Sequence, residues 1–257
     1  MVDIDVAASG PSRLIPFEAV FNFRDLGGYP GADGRTVKWR LLFRADGLNR
    51  LRAWEADAFA ALGVATVVDL RTAEEAETVG RFPLELGEVD YHHLPMFDVM
   101  PDWVAAGDPE AEGYLADRYL EMLSSGRDAL AATLQLAGQP GSLPLVFHCA
   151  AGKDRTGIVA AVLLSLLGVP DDVIVADYAL STAAMGRLIA WARETMPVDP
   201  SAPPRAPVPQ SVIDSEPSTM ARFLELIRSR FGSADGLVRD LGLPDDLPVR
   251  IRQLLLG

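Results

Sequence analysis

The chain has 257 residues, 49% hydrophobic and 23% charged, which is enough to bury a full core and sits at the upper edge of what one domain holds. Its formal net charge of -13 argues against a nucleic-acid partner, because binding to a phosphate backbone is driven by clustered Lys and Arg. The single cysteine, Cys149, excludes an intrachain disulfide, and three histidines beside it are too few for a convincing metal cluster.

Residues 1–16 read as a flexible tail. Their acids stand where a secretory leader needs basic residues and an apolar block, and no apolar run reaches membrane-spanning length. A cytoplasmic protein without a membrane span is expected, although leaderless secretion would leave no mark on such a sequence. From Phe17 to Ala45, apolar stretches alternate with the turn signals Gly27-Gly28, Gly31 and Asp33-Gly34, which predicts a small β-rich segment. Asn49 can cap a helix that carries Leu51, Trp54, Ala58, Phe59 and Leu62 on one face and ends at Gly63.

Val64 to Leu70 is a β-branched run suited to a buried strand, followed by an acidic helix from about Thr72 to Val79 and a second strand over Val89 to Leu94. One long helical pattern covers roughly Glu110 to Leu136. Leu143 to Phe147 then reads as the central strand, and Thr156 to Leu167 is apolar almost throughout, the mark of a helix buried on every side. Helical patterns follow over Ser181 to Thr195, Ser218 to Phe231 and Asp245 to Leu256. Between Pro197 and Pro217 lie 7 of the chain's 19 prolines, so this stretch is an irregular excursion rather than a helix interior. No internal repeat is present, and one domain spanning 1–257 is expected.

The chemistry concentrates in His148-Cys-Ala-Ala-Gly-Lys-Asp-Arg-Thr-Gly157. A cysteine at a strand's C-terminal end, with an arginine six positions on and a helix starting at once, makes a loop whose backbone N–H groups can converge on one point. The helix dipole adds partial positive charge there. Ala150, Ala151, Gly152, Lys153, Asp154 and Arg155 would cradle a phosphate or another oxyanion, and the same field favours a thiolate at Cys149, the reactive form of the residue. Arg155 offers a planar fork for two phosphate oxygens. Gly152 gives the loop freedom to fold inward, and Gly157 lets the helix start pack closely. Thr156 can donate its hydroxyl to the sulfur, and His148 can order the loop by hydrogen bonding.

These residues match the signature of the protein tyrosine phosphatase superfamily: His-Cys, five residues, Arg, then Ser or Thr and Gly. Gly-Lys-Asp-Arg in the loop, with Asn22-Phe-Arg-Asp-Leu-Gly-Gly28 and Val68-Asp-Leu-Arg71 before it, resembles the bacterial and fungal tyrosine phosphatases more narrowly, over roughly residues 17 to 180. The resemblance implies an α/β fold with a central, mostly parallel sheet flanked by helices, no metal and no cofactor. It also implies hydrolysis of a phosphorylated protein, peptide or phosphoinositide through a phosphocysteine intermediate. It makes Asp154 the first choice as general acid, with Asp98 and Asp102 as alternatives, and it suggests that about residues 181–217 form a helical, Pro-rich lid.

Lys153 is one of only two lysines beside 21 arginines, so a lysine in this loop runs against the chain's composition and suggests relaxed specificity. Plainer readings stand beside these. Lys153 and Asp154 can be solvated residues at a helix start. Asn22, Arg24 and Asp25 read better as a turn braced by an ion pair than as part of a site, and Asp69 and Arg71 either border the pocket or pair with each other. His92 and His93 are structural. A catalytically silent phosphate-binding relative is the competing function; arsenate reduction usually needs additional thiols, and sulfur transfer shares only the cradle.

Overall fold

The β-branched and aromatic runs pair into one sheet in a computed structural model that describes residues 12–99, 107–195 and 210–257. The strands are β1 (Arg24–Asp25), β2 (Leu42–Ala45), β3 (Thr66–Asp69), β4 (Asp90–His93) and β5 (Leu145–His148), in the spatial order β1-β2-β5-β3-β4. β1 runs antiparallel to β2, and every other pairing is parallel. Parallel neighbours need crossovers that cover the sheet faces, which is why the central strands are apolar on both sides. The expected α/β architecture is therefore present.

In chain order the helices are α1 (Ala56–Ala60), α2 (Ala73–Val79), α3 (Tyr114–Ser125), α4 (Arg127–Ala137), α5 (Asp154–Leu166), α6 (Asp171–Ala179), α7 (Ser181–Thr195), α8 (Gln210–Ile213), α9 (Pro217–Phe231), α10 (Ala234–Asp240) and α11 (Leu247–Leu255). Alternation along β5 separates two cores. Leu145 and Phe147 join Val68 and the residues of α3, α5 and α9 on one face, while Val146 joins Val67, Phe43 and Phe59 on the other. α5 is apolar all round because it packs against α3, α4, α6, α10 and α11 at once.

Three sequence expectations are corrected. Asn49 caps no long helix: the segment forms two short 3-10 turns and the five-residue α1, and Trp54 stands 71% exposed instead of on a buried face. The pattern from Glu110 to Leu136 is two helices, because Gly126, a poor helix former, leaves the helical region at φ -90 and ψ 21. Finally, α6 and α7 follow one another over Asp171–Thr195, 25 residues holding an 18-residue window of mean hydropathy 1.4, a helix that by length and composition could cross a membrane. The sequence pattern, helical almost to the end beyond Leu167, set bounds only for its second half. The first half starts after Pro170, with Asp171 and Asp172 in its first turn, and it buries Ile174, Asp177 and Tyr178 in the protein. Residues 1–11 of the expected tail, residues 196–209 of the Pro-rich excursion, and Asp102 lie outside the described residues.

Candidate active site

Sheet register brings the site together. His148, the last residue of β5, is level with Ala45 of β2 and Asp69 of β3, so the segments leaving all three strands meet around Cys149. This is the carboxyl edge of the parallel strands, where α/β proteins form their clefts. The Cys149 side chain is nearly covered, at 2% exposure, and Gly152 donates its N–H to the sulfur at 3.2 Å.

What bends the loop inward is visible in its carbonyls, which are pinned on the outside. Asn22 Nδ2 donates to Ala151 O at 3.1 Å and Gly152 O at 3.0 Å, Arg44 Nη2 donates to Gly152 O at 2.7 Å, and Gly47 N donates to Ala150 O at 3.1 Å. In a planar trans peptide the N–H points opposite to the C=O, so tying the oxygens outward turns the following amides toward the sulfur. Gly152 is required here: its φ is +67, and a Cβ would stand 2.6 Å from Ala45 O and 2.7 Å from Asp46 N. Gly157 lies under the Tyr178 ring, which a Cβ would meet at 3.3 Å. Asp154 opens α5, so the loop ends at a helix N-terminus.

Arg155 closes the ring. Its two terminal nitrogens meet the two oxygens of Glu75 at 2.5 and 2.8 Å, a two-point clamp that fixes the plane of the guanidinium. Glu75 is itself fixed, because it forms a capping box with Thr72 at the start of α2. Burial pushes its carboxyl up, but the Arg155 contacts outweigh this and hold it below the usual range. Sequence reasoning saw only an acidic helix here; the Thr-x-x-Glu pattern before an apolar position was the signal that could have singled out Glu75.

A second unforeseen group sits behind the loop. Asp177 of α6, fully buried, accepts from Arg24 at 2.9 and 3.2 Å, Arg44 at 2.7 Å and Tyr29 at 2.9 Å. Burial alone would raise its carboxyl, yet the two arginines keep it well below the usual range. Both arginines lead onward to the loop: Arg44 through its bond to Gly152 O, Arg24 through a short contact to Asn22 Oδ1. The expected turn braced by an Arg24–Asp25 pair is thus replaced by a buried network in which Asn22 touches the loop itself, while Asp25 accepts from the N–H groups of Gly27 and Arg40. Nothing in sequence spacing relates residue 177 to residues 24 and 44.

Asp69 and Arg71 pair with each other, Arg71 Nη2 lying 2.6 Å from Asp69 Oδ2. They stand beside His148, whose Nε2 is 3.7 Å from Asp69 and whose Nδ1 is 3.3 Å from Cys149 O. Burial pushes the imidazole down to about 4, so His148 is a neutral support within the wall. His92 contacts Asp90 at 2.8 Å and His93 contacts Arg71 O at 2.9 Å. The Thr156 hydroxyl is buried and makes no hydrogen bond, so the expected bond to Cys149 is not formed in this state.

Lys153 is neither solvated nor open to substrate. Its side chain is 0% exposed, with Nζ bonded to Val212 O in α8 and 3.4 Å from Asp154 Oδ1. Asp154, 32% exposed at its side chain, also accepts from Tyr119 at 2.6 Å. Asp98 is exposed on the loop after β4. No group of three or more His, Cys, Asp or Glu side chains among the described residues is arranged to hold a metal.

The loop, with an amide turned to the sulfur beside a clamped guanidinium, and the mostly parallel sheet that carries it have the form of the protein tyrosine phosphatase class. Comparison with known proteins agrees: residues 15–257 match the tyrosine phosphatase family, and the protein belongs to it. A Cupriavidus necator relative assigned by name to the tyrosine-protein phosphatases is 31% identical over 88% of this chain and 83% of its own. The triple specificity protein phosphatase PtpB of Mycobacterium tuberculosis is 29% identical over 92% and 97%, and a tyrosine-protein phosphatase of Nostoc commune is 30% identical over 68% and 65%. The protein is accordingly an enzyme of the protein tyrosine phosphatase class.

Proposed function

We propose that the protein hydrolyses phosphomonoesters through a covalent phosphocysteine. The observation that carries this reading is the inward loop, with Gly152 N 3.2 Å from Cys149 Sγ and Arg155 clamped at its far end. The Cys149 thiolate attacks phosphorus while the bond to the leaving oxygen breaks and that oxygen takes a proton from Asp154. Water then attacks the phosphocysteine and Asp154 takes back a proton. The S–P bond breaks, the thiolate is restored and inorganic phosphate leaves. Amide donors and Arg155 stabilise the charge on the equatorial oxygens in both steps.

The mycobacterial relative is named for triple specificity, and we carry a broad specificity over as part of this reading: phosphotyrosine first, with phosphoserine, phosphothreonine and phosphoinositides as further substrates. The ammonium of Lys153 reaches an additional phosphate only when α8 withdraws, since it is bound to Val212 O. We also read α7 and α8 as part of a cover over the site. Arg187 of α7 donates to Phe21 O at 2.7 Å, Trp191 lies 6.3 Å from the Phe21 ring, and Ser215 N donates to Thr182 at 3.0 Å.

The test is a metal-free assay of aryl phosphates and phosphopeptides with vanadate as inhibitor. Cys149→Ser abolishes turnover, and Asp154→Asn lowers it by about 10²–10⁴-fold, more as the leaving group becomes more basic. Undiminished turnover in Cys149→Ser sinks the reading. A wild type that binds vanadate without turning over any substrate establishes the silent phosphate binder instead.

A further inference from the structure

Two buried phenols lie behind the aspartate that the proposed reaction uses. Tyr119 of α3 and Tyr178 of α6 are fully buried, their hydroxyls 2.7 Å apart, and the Tyr119 hydroxyl is 2.6 Å from Asp154 Oδ1. Each phenol carries one proton. When Asp154 is ionised it can only accept, so the Tyr119 proton goes to Oδ1, and the contact between the phenols is then made by the Tyr178 proton. The chain runs in one direction, from Tyr178 through Tyr119 to the carboxylate. Burial, followed by the neighbouring Asp154 charge, raises both phenols above their usual value, so they stay protonated donors.

The second donor near this carboxylate is on the same side. Lys153 Nζ is 3.4 Å from Oδ1, whereas no hydrogen bond reaches Oδ2 among the described residues. A carboxyl group flanked by donors at one oxygen keeps that oxygen as an acceptor and carries its own proton on the other. The rings are held independently of this bond: Tyr119 packs edge-on against Tyr178 and Phe223 at centroid distances of 6.2 and 5.8 Å, so the hydroxyl is delivered from a rigid wall.

We propose that Tyr119, oriented by Tyr178, is a positioning residue for Asp154. It reserves Oδ1 as an acceptor, places the transferable proton on Oδ2, and stops the carboxyl from rotating between productive and unproductive arrangements. This rests on Asp154 being the general acid. Tyr119 touches neither sulfur nor substrate in this role and acts only through the aspartate.

The experiment is a double-mutant cycle of Tyr119→Phe and Asp154→Asn, read with aryl phosphates of good and poor leaving groups. Tyr119→Phe removes one oxygen and keeps the ring, and Tyr178→Phe serves as the second variant, loosening Tyr119 without touching its bond to Asp154. Tyr119→Phe is expected to lower kcat about tenfold for the poor leaving group, with little change for the good one and KM unchanged. In the Asp154→Asn background the same substitution should cost nothing further. Tyr178→Phe should show the same selectivity at smaller size. Equal losses on both substrates, or additive losses in the cycle, overturn the assignment of Tyr119 while leaving Asp154 as the acid. A flat response of Asp154→Asn itself to the leaving group removes the acid and the positioning role together.

Discussion

The clamp between Glu75 and Arg155 fixes a plane as well as a position, since two parallel bonds at 2.5 and 2.8 Å leave the guanidinium no freedom to twist. Glu75→Gln keeps the size of the side chain and loses its charge and one of its two acceptor oxygens. It is expected to lower kcat/KM about 10²-fold, the scale of loss when a group that grips the transition state is slightly misplaced, and to weaken vanadate inhibition in parallel. Steady-state kinetics with vanadate titration checks this; unchanged vanadate affinity would show that Arg155 orients itself unaided. Cys149, Gly152 and Arg155 were legible in the sequence because a loop of fixed length must join a strand end to a helix start. Glu75 and Tyr119 were not, because their contacts with Arg155 and Asp154 span 80 and 35 residues. The solvated alternative for Lys153 failed for a related reason: the carbonyl that covers it lies 59 residues away, in α8.

At the scale of elements, α8 is a single turn held to the site by the Lys153 contact, while Ser215 N, just beyond it, bonds Thr182 near the start of α7. That bond also shows that residues 182 and 215 are neighbours, so residues 184–214 can be replaced by a short glycine linker without pulling α6 and α9 apart. The shortened protein is expected to lose its Cys149 activity to hydrogen peroxide several-fold faster, because the thiol becomes accessible. Equal inactivation rates would show that α7 and α8 do not cover the sulfur. Periodicity found α2, α5 and α9 well because each keeps one pattern from cap to end. It failed over residues 49–63, where apolar side chains at helical spacing sit on 3-10 turns, and at Gly126, where the chain turns between two helices that each continue the same apolar face. Local pattern cannot tell a continued helix from a bent one when both ends pack into the same core.

For the whole molecule the informative variable is pH. His148 is fully buried, and burial lowers it from its ordinary 6.5 to about 4. Between these values the unfolded chain binds a proton that the folded protein refuses, so stability falls as pH drops through this window, by about 3 kcal/mol in total. Above it the contribution is fully present. Urea midpoints measured at about pH 7 and about pH 4.5 should differ less in His148→Gln than in the wild type; an identical difference would place the acid sensitivity elsewhere. The net charge of -13 does not govern the site, because screening beyond about 8 Å leaves an arriving phosphate to the nearest amides and to Arg155.

The sequence by itself determined the reactive loop, the strand and helix on either side of it, and membership in a family, because those follow from residue types at fixed short spacing. It did not contain the distances across the sheet. Only the tertiary structure decided that Asp177 braces the loop through Arg24 and Arg44, that Glu75 aims Arg155, and that Tyr119 backs Asp154. The physical reason is that a buried charge or hydroxyl must find a partner, and which partner it finds depends on strand order and helix packing that no local pattern encodes.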